Sequence, residues 1–283
     1  MYESHYGFKE PPFSLLPDPR FLYLGEKHAI ALATLEYALM CQSGFTVVTG
    51  EVGTGKTTLM RYLLNTMPKN ISVGLITNTH QSFGSLLQWI LSAFDITYEE
   101  NEQSSLFRLW QSYVIDQYAN GKRTLLIVDE AQNMSAATLE ELRVLSNINA
   151  DHDQVFQVML VGQPELRDIL RQDNMRQFAQ RIVIDYHLTS LDGSEIFTYI
   201  QHRLRVVGAE SNSIFTDDAM ARIAVHSGGV PRLINLLCEC ALVYGFAMGV
   251  DRIDDVIVDE VVKDKLHGNI VPLQGKSISA QCD

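Results

Sequence analysis

The sequence predicts an α/β fold, in which a parallel β-sheet lies between two layers of helices and is followed by a helical subdomain. Short apolar segments alternate with helical patterns up to about residue 190, which is the order that a parallel sheet requires. The segment 124–128 is apolar at four consecutive positions, as in a strand buried on both faces. After residue 190, helical patterns follow one another without strand signals. We therefore expect a three-layer sheet domain with a C-terminal helical subdomain.

The composition is that of a globular protein with an acidic balance. The chain has 283 residues, of which 46% are hydrophobic, and a formal net charge of −12. This charge argues against a broad nucleic-acid surface, although a local basic patch stays open. The four cysteines form no Cys-x-x-Cys pair, and Cys238 and Cys240 lie in an apolar helical pattern. We therefore expect packed, reduced thiols and a cytoplasmic location.

Four segments are expected along the chain. Residues 1–25 are rich in proline and aromatic side chains, which predicts an extended segment pinned by aromatic anchors. Residues 26–190 are predicted to form the sheet domain, residues 191–266 the helical subdomain and residues 267–283 a flexible tail. The N-terminus lacks the features of a signal peptide, and the longest apolar stretch, 236–250, is too short to span a bilayer. We expect no membrane-spanning segment.

Each element of the sheet domain has a local signal. Periodicity predicts five strands, at 45–48, 71–76, 124–128, 155–161 and 182–184. It predicts helices at 26–42, from residue 59, at 82–94, 104–118 and 136–147, from residue 164 and near residue 175. Ser82 and Ser135 are expected to cap two of these helices.

The helical subdomain is predicted to contain four helices. Asp192 and Glu195 have the spacing of a capping box, so a helix is expected to begin there and to run to Val207. Thr216 can cap a second helix, and Pro231 can occupy the first turn of a third. The last helix is expected over about 255–266.

One loop carries a phosphate-binding pattern. Residues 50–57 read Gly-Glu-Val-Gly-Thr-Gly-Lys-Thr, between a predicted strand and a predicted helix, which is the setting that a P-loop requires. Glycines let the backbone wrap around a phosphate, and the N-terminus of the helix points unpaired N–H groups at it. Lys56 is expected to reach the β- and γ-phosphates, and Thr57 to bind Mg²⁺ through its hydroxyl. The pattern therefore predicts a nucleoside triphosphate site.

An acidic pair, Asp129 and Glu130, follows the apolar strand at 124–128. A carboxylate at this place in a P-loop protein helps to hold Mg²⁺, the role that we expect of Asp129 together with Thr57. Glu130 is then suited to orient or deprotonate the attacking water. A small-molecule kinase has less need of such a second carboxylate, so the pair favours hydrolysis.

Three more side chains are candidates for the reaction. Gln163 follows the fourth predicted strand, which is expected to lie beside the strand of the acidic pair, so it is suited to contact the γ-phosphate or the attacking water. Arg181 precedes the last strand and is suited to reach the nucleotide of a neighbouring subunit, with Arg176 as an alternative. Arg232 begins a helix of the helical subdomain, from which it could extend over the phosphates.

Together these residues resemble the AAA+ ATPases, and more narrowly the ExeA/GspA-type ATPases of bacterial secretion and pilus systems. The resemblance extends over about residues 2–266. It is carried by the segments 6–8, 12–13, 17–23, 50–58, 129–132, 161–166 and 229–235.

The resemblance implies a role for each candidate residue. Lys56 and Thr57 correspond to Walker A, Asp129 and Glu130 to Walker B, Gln163 to sensor 1, Arg181 to the arginine finger and Arg232 to sensor 2. It implies that ATP and Mg²⁺ are bound, and that Tyr23 lines the adenine pocket. The residues that it implies contact the nucleotide are Tyr23, Gly50, Glu51, Val52, Gly53, Thr54, Gly55, Lys56, Thr57, Thr58 and Arg232.

The function that the resemblance implies is ATP hydrolysis by a cytoplasmic, ring-like homo-oligomer, held at the inner membrane through a partner. The cycle would drive assembly or remodelling of a pilus or secretion machine. Longer members continue into a transmembrane helix and a peptidoglycan-binding domain. We expect neither of these here, and therefore a role closer to that of short pilus-biogenesis ATPases.

Two other functions are open. One is a DNA-bound ATPase that regulates transposition, of the TniB/TnsC type, which the acidic balance disfavours. The other is a nucleotide-gated scaffold with little hydrolysis, which the pair Asp129 and Glu130 disfavours.

Overall fold

A computed structural model describes residues 1–41, 44–77, 79, 84–99, 102–150, 153–209 and 214–267. The chain divides into two compact units, each with its own apolar core. The sheet unit comprises Ala29–Val52 and Tyr62–Leu188, and the helical unit comprises Met1–His28, Gly53–Arg61 and Thr189–Asp283. The domain boundaries expected from the sequence remain predictions, and the expected tail lies outside the described residues from residue 268 onward.

The elements follow one another along the chain as alternating helices and strands, and then as helices alone. The strands are β1 (Phe45–Gly50), β2 (Ile71–Ile76), β3 (Arg123–Val128), β4 (Asn149–Ala150), β5 (Asp153–Gln154), β6 (Phe156–Gly162) and β7 (Ile182–Leu188). The helices are α1 (Tyr2–Tyr6), α2 (Glu26–Met40), α3 (Lys56–Thr66), α4 (Leu86–Ala93), α5 (Gln103–Ala119), α6 (Ala136–Leu145), α7 (Glu165–Leu170), α8 (Arg176–Ala179), α9 (Gly193–Val206), α10 (Asp217–Ser227), α11 (Pro231–Met248) and α12 (Asp255–His267).

The sheet unit is built around a five-stranded parallel sheet. The strand order is β2-β3-β6-β1-β7, and all four neighbouring pairs are parallel. Every residue of β1 and β6 is buried. Because successive side chains point to opposite faces, both faces of these central strands are covered. The α/β class with a parallel sheet is therefore confirmed.

Two features of the sheet unit differ from the predictions. Strand β7 continues to Leu188, although residue 184 was its predicted end. It is an edge strand whose side chains are partly exposed, so it accommodates the polar residues Asp185 and His187. Because these residues interrupt the apolar pattern, the sequence did not indicate that the strand continues. The strands β4 and β5 form a short antiparallel pair that was not predicted, because two residues are too few to show a period.

The start of α4 also differs from the prediction. Ser82 lies outside the described residues, and the N-cap of α4 is Ser85. The Ser85 N–H donates to Gln88 Oε1 at 2.8 Å, which satisfies a donor at the helix start. By contrast, Ser135 caps α6 as predicted, since its hydroxyl accepts from the Thr138 N–H at 3.1 Å.

In the helical unit, the predicted helix starts are confirmed. Asp192 and Glu195 form a capping box, with N–H to carboxylate distances of 3.1 and 3.2 Å. The Thr216 hydroxyl accepts from the Ala219 N–H at 3.0 Å, and Pro231 occupies the first turn of α11. In the core of this unit, α11 contributes the buried Cys238 thiol, whose pKa is raised by burial.

The N-terminal segment belongs to the core of the helical unit. Phe8, Phe13 and Phe21 are buried there, which agrees with the interpretation of aromatic anchors. The prediction that the segment is extended was wrong at residues 2–6, which form α1. This stretch precedes the prolines, and the buried Tyr2 hydroxyl donates to Glu239 Oε1 of α11 at 2.6 Å, so tertiary contact fixes the short helix.

A buried guanidinium holds the rest of this segment. Arg203 of α9 donates from Nε to the Pro12 carbonyl at 2.6 Å and from Nη2 to the Ser14 carbonyl at 3.1 Å. Its Cζ lies 4.4 Å from the centre of the Phe21 ring, a cation–π distance. The proline-rich segment is therefore bound to α9 through its own carbonyl groups.

By length and composition, α11 is the one helix within the described ranges that could cross a membrane. Eight of its residues are buried, among them Leu237, Cys238 and Ala241 of the helical-unit core. A core helix of a globular protein passes the same test, so this feature is weak evidence for a membrane span.

Candidate nucleotide-binding site

The carboxyl ends of three sheet strands bring candidate residues to one edge of the sheet unit. Strand β6 lies between β1 and β3, with Thr49 of β1 opposite Gly162 and Val128 of β3 opposite Leu160. Because the strands are parallel, Gly50, Asp129 and Gln163 leave the sheet at the same edge. In open parallel sheets this edge is where ligands bind.

Amide side chains hold the Glu130 carboxylate at this edge. Its Oε2 accepts from Gln132 Nε2 at 2.5 Å and from Gln163 Nε2 at 3.3 Å. Gln132 Oε1 in turn accepts from the Gln163 backbone N–H at 2.9 Å. The candidate base and the candidate γ-phosphate sensor are therefore joined through Gln132, which the sequence did not single out as a functional residue.

The backbone turns sharply between the two acidic residues. Glu130 adopts a left-handed conformation with φ of 53°, which is uncommon for a residue other than glycine. Its N–H donates to Asp129 Oδ1 at 3.0 Å, and the Asp129 N–H donates to the Ile76 carbonyl of β2 at 2.8 Å. Asp129 is 8% exposed. The Asp129 carboxylate thus holds the backbone of this turn at the end of β3.

Most of the P-loop belongs to the helical unit. Gly53 and Gly55 have φ of 83° and 100°, conformations that favour glycine. Lys56 is the first residue of α3 and is 8% exposed. The loop therefore has the glycine turns and the helix N-terminus of a phosphate cradle.

Two residues distant in sequence contact this loop. The Arg232 N–H, in the first turn of α11, donates to the Gly53 carbonyl at 3.2 Å. The buried His28 ring, near the start of α2, has its Nε2 3.1 Å from the Thr54 carbonyl. Arg232 was predicted to serve the nucleotide, whereas His28 was missed, because one histidine in a helical pattern gives no signal of such a contact.

Comparison with known proteins finds a family match over part of the chain. Residues 40–170 match the family model described as "AAA domain". The chain carries an AAA domain. It is also similar to general secretion pathway protein A of Aeromonas hydrophila, with 42% identity over 254 residues, which cover 89% of this chain and 46% of that protein. The chain thus spans about half the length of this curated relative.

Solved structures with the same fold include two archaeal proteins. The ORC2 protein of Aeropyrum pernix, in a structure of ADPNP–ADP complexes, is 19% identical with a TM-score of 0.68, over 91% of this chain and 72% of that one. The Cdc6p protein of Pyrobaculum aerophilum is 16% identical with a TM-score of 0.61, and the match covers 84% of this chain and 68% of that one. At such low identity the likeness establishes the fold alone. The fold predicted from the sequence, that of an AAA-type P-loop protein, is confirmed.

The two arginines of the sheet unit that were considered as fingers differ in their surroundings. Arg181 is half-buried, and its Nη1 lies 3.5 Å from the Arg143 carbonyl and 3.4 Å from Ser146 Oγ, at the C-terminus of α6. A cation is favourable there, because it meets the negative end of the helix dipole. Arg176 is 78% exposed and pairs with Asp173 at 2.8 Å. Arg181 therefore has a structural contact in its own chain, and Arg176 is the more accessible of the two.

Tyr23, predicted to line the adenine pocket, packs on α9 of the helical unit. Its ring centre lies 5.9 Å from that of Tyr199 and 5.8 Å from that of His202. A side chain on Gly25 would lie 2.8 Å from the Tyr23 ring, so the chain passes this ring closely. The ring is therefore held in place, and its contact with adenine remains a prediction.

The turn before α11 is packed tightly at Gly229, which leads to a stability prediction. Gly229 has φ of 77°, and a Cβ built there would lie 2.0 Å from the Leu191 carbonyl oxygen. Gly229→Ala is therefore expected to destabilise the protein by about 3 kcal/mol, the sum of backbone strain and displacement of the turn. Thermal unfolding measures the change.

Gly249→Ala is the matched control, because Gly249 has φ of 69° but no atom within 4 Å of an added Cβ. It carries the strain alone, and we expect a loss of about 1 kcal/mol. Equal losses in the two variants would contradict the close contact at Gly229.

Proposed function

We propose that this protein is an AAA+ ATPase that binds ATP with Mg²⁺, hydrolyses it, and uses the cycle to assemble or remodel a bacterial pilus or secretion machine. The observation that carries the hydrolysis is the Glu130 carboxylate, held by the amides of Gln132 and Gln163 at the carboxyl edge of the sheet. A protein that only binds nucleotide has no need of a second oriented carboxylate beside the one that serves the metal.

ATP binding is supported by the form of the P-loop. The left-handed glycines Gly53 and Gly55 let the loop turn while Arg232 and His28 pack closely against it, and α3 begins at Lys56. In our proposal the backbone of residues 50–58 surrounds the phosphates and Lys56 neutralises their charge. Tyr23 contacts the adenine and Arg232 the phosphates.

Thr57 and Asp129 are the proposed Mg²⁺ ligands. A hydroxyl and a carboxylate are hard oxygen donors, which suit Mg²⁺ together with nucleotide oxygens and water. Among the residues that the structure describes, no group of three or more His, Cys, Asp or Glu side chains could hold a metal ion. The donor set therefore suits a metal that arrives with its nucleotide. The bound ion would neutralise charge that develops on the phosphoryl oxygens.

Hydrolysis is assigned to Glu130 and Gln163. Glu130 accepts the proton of the attacking water or orients it, and Gln163 contacts the γ-phosphate or the same water. Because Gln163 also donates to Glu130, a ligand that moves one of these two side chains also changes the position of the other.

Our proposal for the process that ATP hydrolysis drives is based on the similarity to general secretion pathway protein A. This chain spans 46% of that relative. We propose a cytoplasmic homo-oligomer, ring-like and assembled with ATP at its interfaces, that acts at the inner membrane on membrane-associated pilus or secretion proteins. The net charge of −12 disfavours nucleic acid as the partner.

The first prediction concerns Glu130. Glu130→Gln removes the base but keeps the size of the side chain, so ATP affinity is expected to stay within about threefold while kcat falls by at least about 100-fold. Fluorescent ATP binding and phosphate release measure the two quantities. Lys56→Ala is the control for a site that does not bind nucleotide, and it is expected to lose both ATP binding and turnover. Normal turnover in the Glu130 variant would remove this residue from its proposed role.

The second prediction concerns Gln132. Gln132→Ala leaves the Glu130 carboxylate without its shortest amide contact, so we expect kcat to fall about tenfold and KM for ATP to change less than about threefold. Steady-state phosphate release measures both constants. Asn133→Ala, at the exposed neighbour, is the control and is expected to behave as wild type. A change in KM alone, or the same loss in both variants, would contradict the proposed orientation of Glu130.

The third prediction concerns the finger. If Arg181 acts in trans, a mixture of Arg181→Ala and Lys56→Ala proteins is expected to recover activity that neither has alone, because some interfaces then carry both intact residues. Arg176→Ala mixed in the same way is the comparison. Recovery with Arg176→Ala only would move the role to Arg176. Recovery in neither mixture would exclude both arginines as fingers between subunits.

A further inference from the structure

One buried histidine lies against the P-loop. His28 is 4% exposed, and its Nε2 is 3.1 Å from the Thr54 carbonyl oxygen. A carbonyl oxygen only accepts, so Nε2 carries the proton and donates. The ring belongs to α2 and the acceptor to the loop, so this bond joins two segments of the helical unit that lie 26 residues apart.

The bond fixes the orientation of a peptide group within the loop. The peptide between Thr54 and Gly55 is planar and trans, so its carbonyl and its N–H point in opposite directions. With the carbonyl directed at His28, the Gly55 N–H is directed away from the ring. Gly55 has φ of 100°, and a Cβ there would lie 3.2 Å from His28 Nε2, so the ring also occupies the space beside the loop.

The other ring nitrogen argues against a purely structural role for this residue. Nδ1 is buried and has no hydrogen-bond partner among the described residues. Burial lowers the pKa of His28, so the ring is neutral, and Nδ1 is then an acceptor without a donor. An unpaired buried acceptor costs free energy that a leucine of similar size would not.

We propose that His28 is a positioning residue of the nucleotide site, which holds the Thr54–Gly55 peptide so that the Gly55 N–H faces the bound phosphates. The proposal rests on the proposed binding of ATP at this loop. Without the bond, the peptide loses the contact that His28 makes with its carbonyl, and more of the ordering of the loop must occur when the nucleotide binds.

The test separates positioning from packing. His28→Leu removes the donor together with the unpaired nitrogen, so its thermal midpoint in the absence of nucleotide is expected to equal or exceed that of wild type. The Kd for N-methylanthraniloyl-ATP with Mg²⁺ is expected to rise about tenfold, the effect of one lost hydrogen bond. His28→Gln, whose Nε2 reaches the position of the histidine Nε2, is expected to keep Kd within about threefold of wild type.

His226→Leu is the matched control. His226, on α10, is a half-buried histidine of the same unit that also has an unpaired Nδ1, and the charged groups that act on it are Asp259 and Arg222, which lie outside the P-loop. Its substitution is expected to leave Kd unchanged. Should His28→Leu not fold, His28→Asn takes its place, because the shorter amide cannot reach the Thr54 carbonyl and is expected to bind as weakly.

Three results would overturn the proposal. Wild-type affinity in His28→Leu would show that the bond does not organise the loop. A parallel loss of stability and affinity in His28→Leu and His28→Gln would make His28 a packing residue. Failure of the wild-type protein to bind the fluorescent nucleotide would overturn the proposed ATP site itself, and this result is distinct from the other two.

Discussion

The register of β6 between β1 and β3 is the constraint on which the sheet-edge part of the site depends. All seven residues of β6 are buried, so a slip by one residue would exchange the side chains on its two faces against a filled core. The strand also ends on Gly162, where a Cβ would lie 2.9 Å from Gln132 Oε1. A larger residue at this position would displace the Gln132 amide from its place beside the strand. The packing that fixes the register therefore also sets the contact between Gln132 and Gln163.

This arrangement explains why the chain accepts strain at Glu130. A left-handed backbone at a residue with a Cβ costs about 1–2 kcal/mol. In this conformation the Glu130 carboxylate accepts hydrogen bonds from Gln132 and Gln163. Hydrogen bonds to a charged group contribute more free energy than those between neutral groups. These two contacts offset part of that strain.

Much of the fold could be predicted because its signals are local. Apolar strands buried on both faces, the capping box at Asp192 and the proline at residue 231 each act within a few residues. The prediction failed where tertiary contacts decide the structure. Helix α1 has five residues, too few to be stable alone, and it depends on the bond from Tyr2 to Glu239, 237 residues away. Strand β7 is polar because it needs to be covered on one side only.

The same distinction applies to the candidate site. The P-loop, the acidic pair and Gln163 could be recognised because each lies in a contiguous pattern. Gln132 lies inside the segment 129–132, but its bond to the Gln163 backbone, 31 residues away, is visible only in the fold. His28 acts on a carbonyl 26 residues away, and one histidine in a helical segment has no pattern of its own. A chain could therefore keep every recognisable motif and still lack an oriented carboxylate or an ordered phosphate loop. For this fold, the residues that hold a motif in place are as necessary to an assignment as the motif itself, and only the geometry identifies them.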